Sequence, residues 1–387
     1  MRRYFTSVIR FSVLAISAVI LCFATPLAAK KGGNGGGKPG GEDSPVATSC
    51  THKASAFPSF AYAVVNAKRK SVDSKIYLSN AAGDCAVEVY SSTTDVEYLS
   101  YRLLNDEAIV AWVEHTDPNY GNRDSRSEHD SVKMLRLEVA DKEIVSLTSA
   151  DTISNSGDPS LYYASLDLSV DGNTIAVLLD DATVYGSYLQ SFLEFDIEFC
   201  SSGCFGETVY IPSTDEGIGS LGYGSDASRI YYTGAFGSAP YLGQAFISFI
   251  EKDGNGDISG PKLLTVESNG FYVDDYSASV TMWQLDIGST DFGNGLTDAV
   301  AYRYYNIEAD QDEVHVIGVG TCSQSVATDC LTSQDSTLEI VIDDGESPSV
   351  SSNSLLFSSP SSNDIFKFDL DLETLSIVAS GTEADID

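Results

Sequence analysis

The chain has little positive charge: 22 lysines and arginines stand against 56 acidic residues, giving a net charge of −34. Such a surface repels nucleic acid phosphates and anionic membranes, so neither is expected as a partner. Histidine is equally scarce. His52, His115, His129 and His315 form no His-Glu-x-x-His pattern and no other zinc-binding motif. There is no Gly-x-Ser-x-Gly elbow, and no stretch keeps a 3.6-residue apolar period over three turns, which excludes an α/β-hydrolase domain. Adjacent carboxylates such as Asp180-Asp181, Asp274-Asp275 and Asp343-Asp344 are what so acidic a composition produces by chance, and none marks a glycosidase dyad.

Long apolar runs are also missing, apart from Phe11–Phe23 near the N-terminus. It follows Arg2 and Arg3 and leads into TPLAA at Thr25–Ala29, the layout of a secretory signal peptide, and is short for a membrane span. Cleavage near Ala29 would release an exported product, periplasmic in a bacterium or extracellular, with no membrane insertion after processing. Residues 30–49, KKGGNGGGKPGGEDSPVATS, carry almost no apolar side chains and read as a flexible tether. Residues 50–387 show no second break and read as one domain. Six of the 22 basic residues precede Glu42, leaving 16 against all 56 acids, so that domain with its short acidic lead-in carries a net charge of −40.

What the domain has in abundance is strand-type sequence around polar turns. The clearest unit is Leu166–Asp181, LDLSVDGNTIAVLLDD, an alternating apolar run, an Asp-Gly turn and a β-branched run. Weaker copies are Leu99–Glu114, Leu221–Gly234, Trp283–Tyr305 and Pro348–Ser359. Turn centres at Asp106, Asp171, Asp226, Gly295 and Ser352 are spaced by 65, 55, 69 and 57 residues. Further strand pairs lie between them, and FPSFAYAVVN with SKIYLSNAAGDCAVEVYSS supplies one more unit at the front. The fold class read from this is all-β: one β-propeller of six four-stranded antiparallel blades. The last segment, IFKFDLDLETLSIVAS, is expected to close the ring by joining the first, FPSFAYAVVN.

LDLSVDGNTIAVLL and LGYGSDASRIYYTG, the second with Ala227 in place of glycine, follow a repeat of the form apolar-Ser-x-Asp-Gly-x-x-Ile-Ala. In these units the chain resembles the TolB-type family of β-propellers. The resemblance implies a periplasmic or secreted scaffold whose top face and central channel bind something, and it implies no particular reaction.

Six cysteines follow the signal: Cys50, Cys85, Cys200, Cys204, Cys322 and Cys330. An even number in an exported chain points to disulfides. Fifteen connectivities exist, and loop closure favours the local one, Cys50–Cys85, Cys200–Cys204 and Cys322–Cys330. Glu251–Lys262, EKDGNGDISGPK, resembles an incomplete EF-hand loop in which Glu251, Asp253, Asn255 and Asp257 would ligate calcium. Lys262 stands where a bidentate Glu should close it, and an acidic turn between strands explains the same residues.

The connections leading into the inner strands are acidic throughout: Asp95 and Glu97, Asp158, Asp215 and Glu216, Asp274 and Asp275, Asp344 and Glu346, then Glu383, Asp385 and Asp387. Tyrosines accompany them at Tyr98, Tyr162, Tyr163, Tyr272 and Tyr276. In a propeller these connections share one face around the channel mouth. The expected function is therefore an exported, non-enzymatic binding or scaffold protein using this face to bind a protein, a glycan or a cation, calcium being the cation such flexible oxygens favour. The alternative is a propeller enzyme acting on polysaccharide, a hydrolase or lyase with carboxylates in its channel. The sequence leaves the oligomeric state open.

Overall fold

The computed structural model describes Val8–Ser12 and residues 57–386 apart from 69–70, 116–129, 142, 157–160, 182–188, 198–203, 205, 214–215, 237–244, 268–270, 275–276, 281, 290–295, 307–308, 321–338, 352–353, 371 and 373. Six antiparallel blades stand around an axis, and the described residues contain no helix. From the axis outward, blade 1 is Glu383–Ile386, Phe60–Lys68, Ser71–Ser79 and Ala86–Ser92. Blade 2 is Asp95–Leu104, Glu107–His115 and Asp130–Ala140, its outer position divided between Glu143–Ile144 and Asp151–Asn155. Blade 3 is Leu161–Leu168, Thr174–Asp181, Leu189–Asp196 and Glu207–Tyr210. Blade 4 is Glu216–Tyr223, Arg229–Phe236, Ala245–Lys252 and Ile258–Glu267. Blade 5 is Met282–Ser289, Leu296–Asn306, Gln311–Gly320 and Glu339–Asp343, and blade 6 is Glu346–Ser351, Ser354–Ser359, Asp364–Asp369 and Thr374–Ser380. The five hairpins legible in the sequence are the two innermost strands of blades 2 to 6.

Two features depart from the sequence reading. Ring closure belongs to Glu383–Ile386, with Phe60 opposite Ile386 and Ala63 opposite Glu383. The segment expected to close the ring, Ile365–Ser380, falls in the two outer strands of blade 6, so Ile377 lies one blade away from Phe60. A closing strand needs only four residues because its neighbour Phe60–Lys68 supplies the length. In sequence, EADI passes for an acidic tail. The second feature is Val8–Ser12, which pairs in parallel with Glu339–Asp343 as a fifth strand on the outer edge of blade 5. It lies inside the stretch read as a signal peptide.

Core formation follows from the pleat. Successive side chains of a strand point to opposite sheet faces, and here each face meets another blade. Along Glu107–His115, Ala108, Val110 and Trp112 pack with blade 1, while Ile109, Ala111 and Val113 pack with blade 3. This two-sided burial is why the middle strands read as unbroken apolar runs. The buried apolar residues fall into six clusters, one at each junction between blades, including the junction of blade 6 with blade 1 through Leu356, Ile365, Phe60 and Ile386. The ring is closed by packing as well as by strand pairing.

Turn chemistry holds the inner hairpins. In the Asp-Gly turn, Asp171 accepts the Ser169 hydroxyl at 2.6 Å and the Asn173 amide at 3.1 Å, while Gly172 takes φ = 66°. In blade 4, Ala227 takes the equivalent left-handed conformation, φ = 56°, despite its β-carbon.

Candidate functional site

Each inner strand exposes a serine or aspartate to the axis, and these side chains tie every blade to the next. Ser100 accepts the Leu168 amide at 3.1 Å, Ser165 the Leu221 amide at 3.2 Å, and Ser220 the Leu285 amide at 2.9 Å. Ser349 accepts the Ile386 amide at 3.0 Å. Aspartates do the same work: Asp385 accepts Tyr101 N at 2.5 Å, Asp167 accepts Tyr223 N at 2.7 Å, and Asp286 accepts Val350 N at 2.6 Å. Together these bonds cross all six junctions. An amide facing the axis has no strand partner there, so a side chain from the preceding blade supplies the acceptor.

Arg102 sits among the three carboxylates, 7% exposed, 3.2 Å from Asp167 and 3.6 Å from Asp385. One cation cannot neutralise three buried acids. Burial first, then the neighbouring Asp286 charge, holds the Asp385 carboxyl well above the usual carboxylate range against the pull of Arg102. Burial and the Asp167 charge likewise raise Asp286.

At the leading ends of the inner strands the pairing register slips, between Glu97 and Ser100, Tyr163 and Ser165, Ile218 and Ser220, Trp283 and Leu285, and Glu346 and Ser349. Each slip is a β-bulge that turns amides away from the ladder. Neighbouring blades answer them: Asp130 accepts Tyr163 N at 3.1 Å, Gln190 accepts Ile218 N at 2.6 Å, and Gln284 accepts Ser347 N at 3.0 Å. Glu383 accepts the amides of Leu99 and Tyr98. Burial nevertheless pushes Glu383 up to about 8, with Glu97 and Asp95 adding to the rise. At three bulges a non-glycine residue is left-handed: Tyr98 (φ = 56°), Gln284 (51°) and Ser347 (48°). Backbone held there costs on the order of 1–3 kcal/mol per residue and concentrates at functional places.

Those three residues and Glu383 line two adjoining cavities at the channel mouth. The larger, about 550 Å³, runs down to Asp167, Asp286 and Asp385. The smaller, about 320 Å³, extends outward past Asp95, Glu97, Glu346 and Thr382. Arg303 lines the larger one and is matched by Asp312 at 2.8 Å, Glu346 at 2.9 Å and the Gln284 carbonyl at 3.2 Å. Beside the mouth, His115 bonds Asp130 through Nδ1 at 2.7 Å and Glu97 through Nε2 at 3.1 Å. Burial would lower its pKa, but the two carboxylates bring it up to about 10, so the imidazole is cationic at neutral pH.

Asp95, Glu97, Tyr98 and Glu346, singled out in the sequence, therefore meet at this mouth. Tyr162 lies at the start of the blade 3 inner strand, opposite Asp180, and Glu216 opens the blade 4 inner strand. Asp344 accepts the hydroxyls of Ser359 at 2.7 Å and Ser361 at 2.6 Å. Asp274 belongs to a short hairpin, Phe271–Asp274 with Ser277–Val280, preceding blade 5. Asp158, Asp215, Asp275 and Tyr276 lie outside the described residues. In the Glu251–Lys262 turn, Glu251 bonds Arg229 at 2.9 Å and also Lys262. Asp253 accepts the amides of Asn255 at 2.8 Å and Asp257 at 2.9 Å, so the turn satisfies itself internally. Among the described residues no group of three or more His, Cys, Asp or Glu is placed to hold a metal ion. Cys85 and Cys204 are disulfide-bonded. Cys50, Cys200, Cys322 and Cys330 lie outside the described residues, and the local pairing stays a proposal.

Sequence reasoning passed over Arg102 and the axial serines. A signal was present, since ASLDL, GSLGY and PSVS place a serine at the same point of the units that form blades 3, 4 and 6.

No protein-family model matches the sequence, and no curated protein matches it. Among solved structures, TolB from Acinetobacter baumannii superposes with a TM-score of 0.51 at 13% identity, over 85% of this chain and 66% of that one. The chain thus spans just under two thirds of that relative's length. A protein assigned as TolB from Agrobacterium tumefaciens gives a TM-score of 0.43 at 11% identity, over 84% and 92% of the two chains. A chain of a nidogen/laminin complex gives 0.44 at 11%, over 84% and 98%. At these identities the likeness concerns architecture alone: this chain is a six-bladed β-propeller, similar in fold to TolB.

Proposed function

We propose that the chain is an exported, non-enzymatic binding propeller that takes a protein or glycan partner at the acidic, tyrosine-bearing mouth of its channel. The observation that carries this is the division of labour along the axis. Asp167, Asp286 and Asp385 are each committed to a backbone amide of the next blade, and two of them also to Arg102. Carboxylates spent on ring closure are not at liberty to exchange protons with a substrate, which weighs against the polysaccharide hydrolase or lyase. Above them lies an open cavity with a mixed polar and apolar lining, of a size ordinary for ligand sites. Export rests on the signal-like N-terminus, and the likeness to TolB and to a nidogen/laminin complex is in keeping with a protein partner.

The test is capture from the native envelope or medium by the tagged full chain, alongside a Thr382→Trp variant. Thr382 is exposed and lines the outer cavity, so tryptophan there obstructs the mouth without entering the core. A partner retained by the parent and released by the variant is the expected result. Turnover of polysaccharide by the purified chain would favour the enzyme instead.

A further inference from the structure

We infer that the ligand class of the mouth is a neutral oligosaccharide, laid along the two joined cavities with a sugar face on Tyr98. This rests on the binding reading above and narrows it.

The chemistry of the lining selects by charge. An anionic ligand needs a cation to receive it, and the one positive group among the described lining residues, Arg303, is already matched by Asp312 and Glu346. A metal ion needs converging ionised oxygens. No group of three such ligands is assembled among the described residues, and the axial carboxylates are turned to backbone amides. Once both are set aside, the groups common to the two cavities are uncharged hydrogen-bonding ones. Ser165 and Ser220 are spent on the neighbouring blade, but Ser347, whose hydroxyl oxygen accepts from Gln284, keeps its O–H to donate, and Gln284 keeps the second N–H of its amide. The Glu383 carboxyl, held largely protonated at neutral pH, can donate as well as accept. Mixed donors and acceptors of this kind complement a row of sugar hydroxyls.

Shape agrees with chemistry. Tyr98, Gln284, Ser347 and Glu383 are common to both cavities, so the two form one elongated trough running outward from the axis. Tyr98 is half-buried, packed in part against the apolar cluster between blades 2 and 3, and its remaining surface lines the trough, where an aromatic ring can cover the C–H face of a sugar. Tyr98, Gln284 and Ser347 all keep full side chains at left-handed positions where glycine would be unstrained, and all three line the trough.

The experiment is an array of neutral, uronate-containing and amino-sugar oligosaccharides probed with the full chain, with Tyr98→Ala and Thr382→Trp in parallel. Retention of neutral glycans, weakened about tenfold or more (roughly 1.4 kcal/mol) by either variant, is the expected result. Thr382→Trp keeps the test decisive if Tyr98→Ala fails to fold. Binding confined to charged sugars, or neutral binding untouched by Thr382→Trp, would overturn the inference. An empty array together with a protein captured through the mouth would overturn the glycan while leaving the binding reading intact. An empty array with no captured partner would remove both.

Discussion

Arg102 is the residue on which the axis turns. Its guanidinium, 7% exposed, lies against Asp167 and Asp385, and Asp286 stands within range of both acids. Arg102→Met keeps much of the volume and removes the positive charge that lies against these buried carboxylates. Breaking a buried pair from one side costs about 3–5 kcal/mol, because the remaining charges are left uncompensated. Urea unfolding of the variant should show that loss, and it should shrink at acid pH as the carboxyls protonate. A loss independent of pH would mean that packing, not charge, was removed. At the other extreme of size is Ala227, left-handed at φ = 56° where the clearest repeat has Gly172. Ala227→Gly relieves that strain at some cost in unfolded-state entropy, and a net gain of about 0.5–1 kcal/mol is expected in the same assay.

The elements of the fold were legible because each inner hairpin carries its own turn chemistry and because two-sided burial writes middle strands as apolar runs. Legibility failed where an element is short or its role depends on a distant partner. Glu383–Ile386 has four residues, two of them acidic, and becomes a strand only by pairing with Phe60–Ala63, over 300 residues earlier. Asp385, read as part of an exposed acidic face, is instead buried in the channel, because its acceptor is needed by Tyr101 N of the next blade. Half the mouth was visible, since Asp95, Glu97, Tyr98 and Glu346 precede recognisable strands. Gln284 and Arg303 were missed, for the units that contain them have lost the repeat pattern. Close approach between inner strands is another property no local sequence reveals. At Gly288 a β-carbon would fall 2.0 Å from the Val350 carbonyl oxygen and 3.0 Å from Ser351 Cα, backbone atoms that cannot swing aside. Gly288→Ala should therefore push blades 5 and 6 apart and cost about 3 kcal/mol, at the upper end of overpacking. A melting temperature within about a degree of the parent would show that the inner strands tolerate more separation than this packing implies.

At the scale of the whole molecule, acidity is arranged so that folding and ionisation oppose each other as pH rises. After residue 41 the chain carries −40, and self-repulsion of that size already favours a lower pH. The individual groups set the window. Glu383 moves from 4.5 to about 8, burial being the main cause, so the folded state binds its proton more tightly than the unfolded state does. Stability from that group is whole below pH 4.5 and is lost as pH rises through 8. His115 moves from 6.5 to about 10: burial opposes the change, but Asp130 and Glu97 overcome it, and its contribution is lost between those values. Glu313 runs the other way. Burial would raise it, but bonds from His315, Asn306 and Gln311 bring it down to about 2, and its contribution is lost as pH falls from 4.5 toward 2. The three together place maximal stability near pH 5, below the neutral optimum that lowered carboxylates alone would produce. Melting temperature should fall steadily from pH 5.5 to pH 9. In Glu383→Gln, which keeps an acceptor for the Leu99 and Tyr98 amides without a titrating proton, the part of that fall between pH 5 and pH 8 should flatten. His115→Gln should flatten the part above pH 7 and also lower stability at neutral pH, since Asp130 and Glu97 then lose the cation between them. A parent curve that rises from pH 5.5 to pH 8 would show that Glu383 is ionised in the folded protein, and its part as a hydrogen-bond donor in the trough would fall with that result.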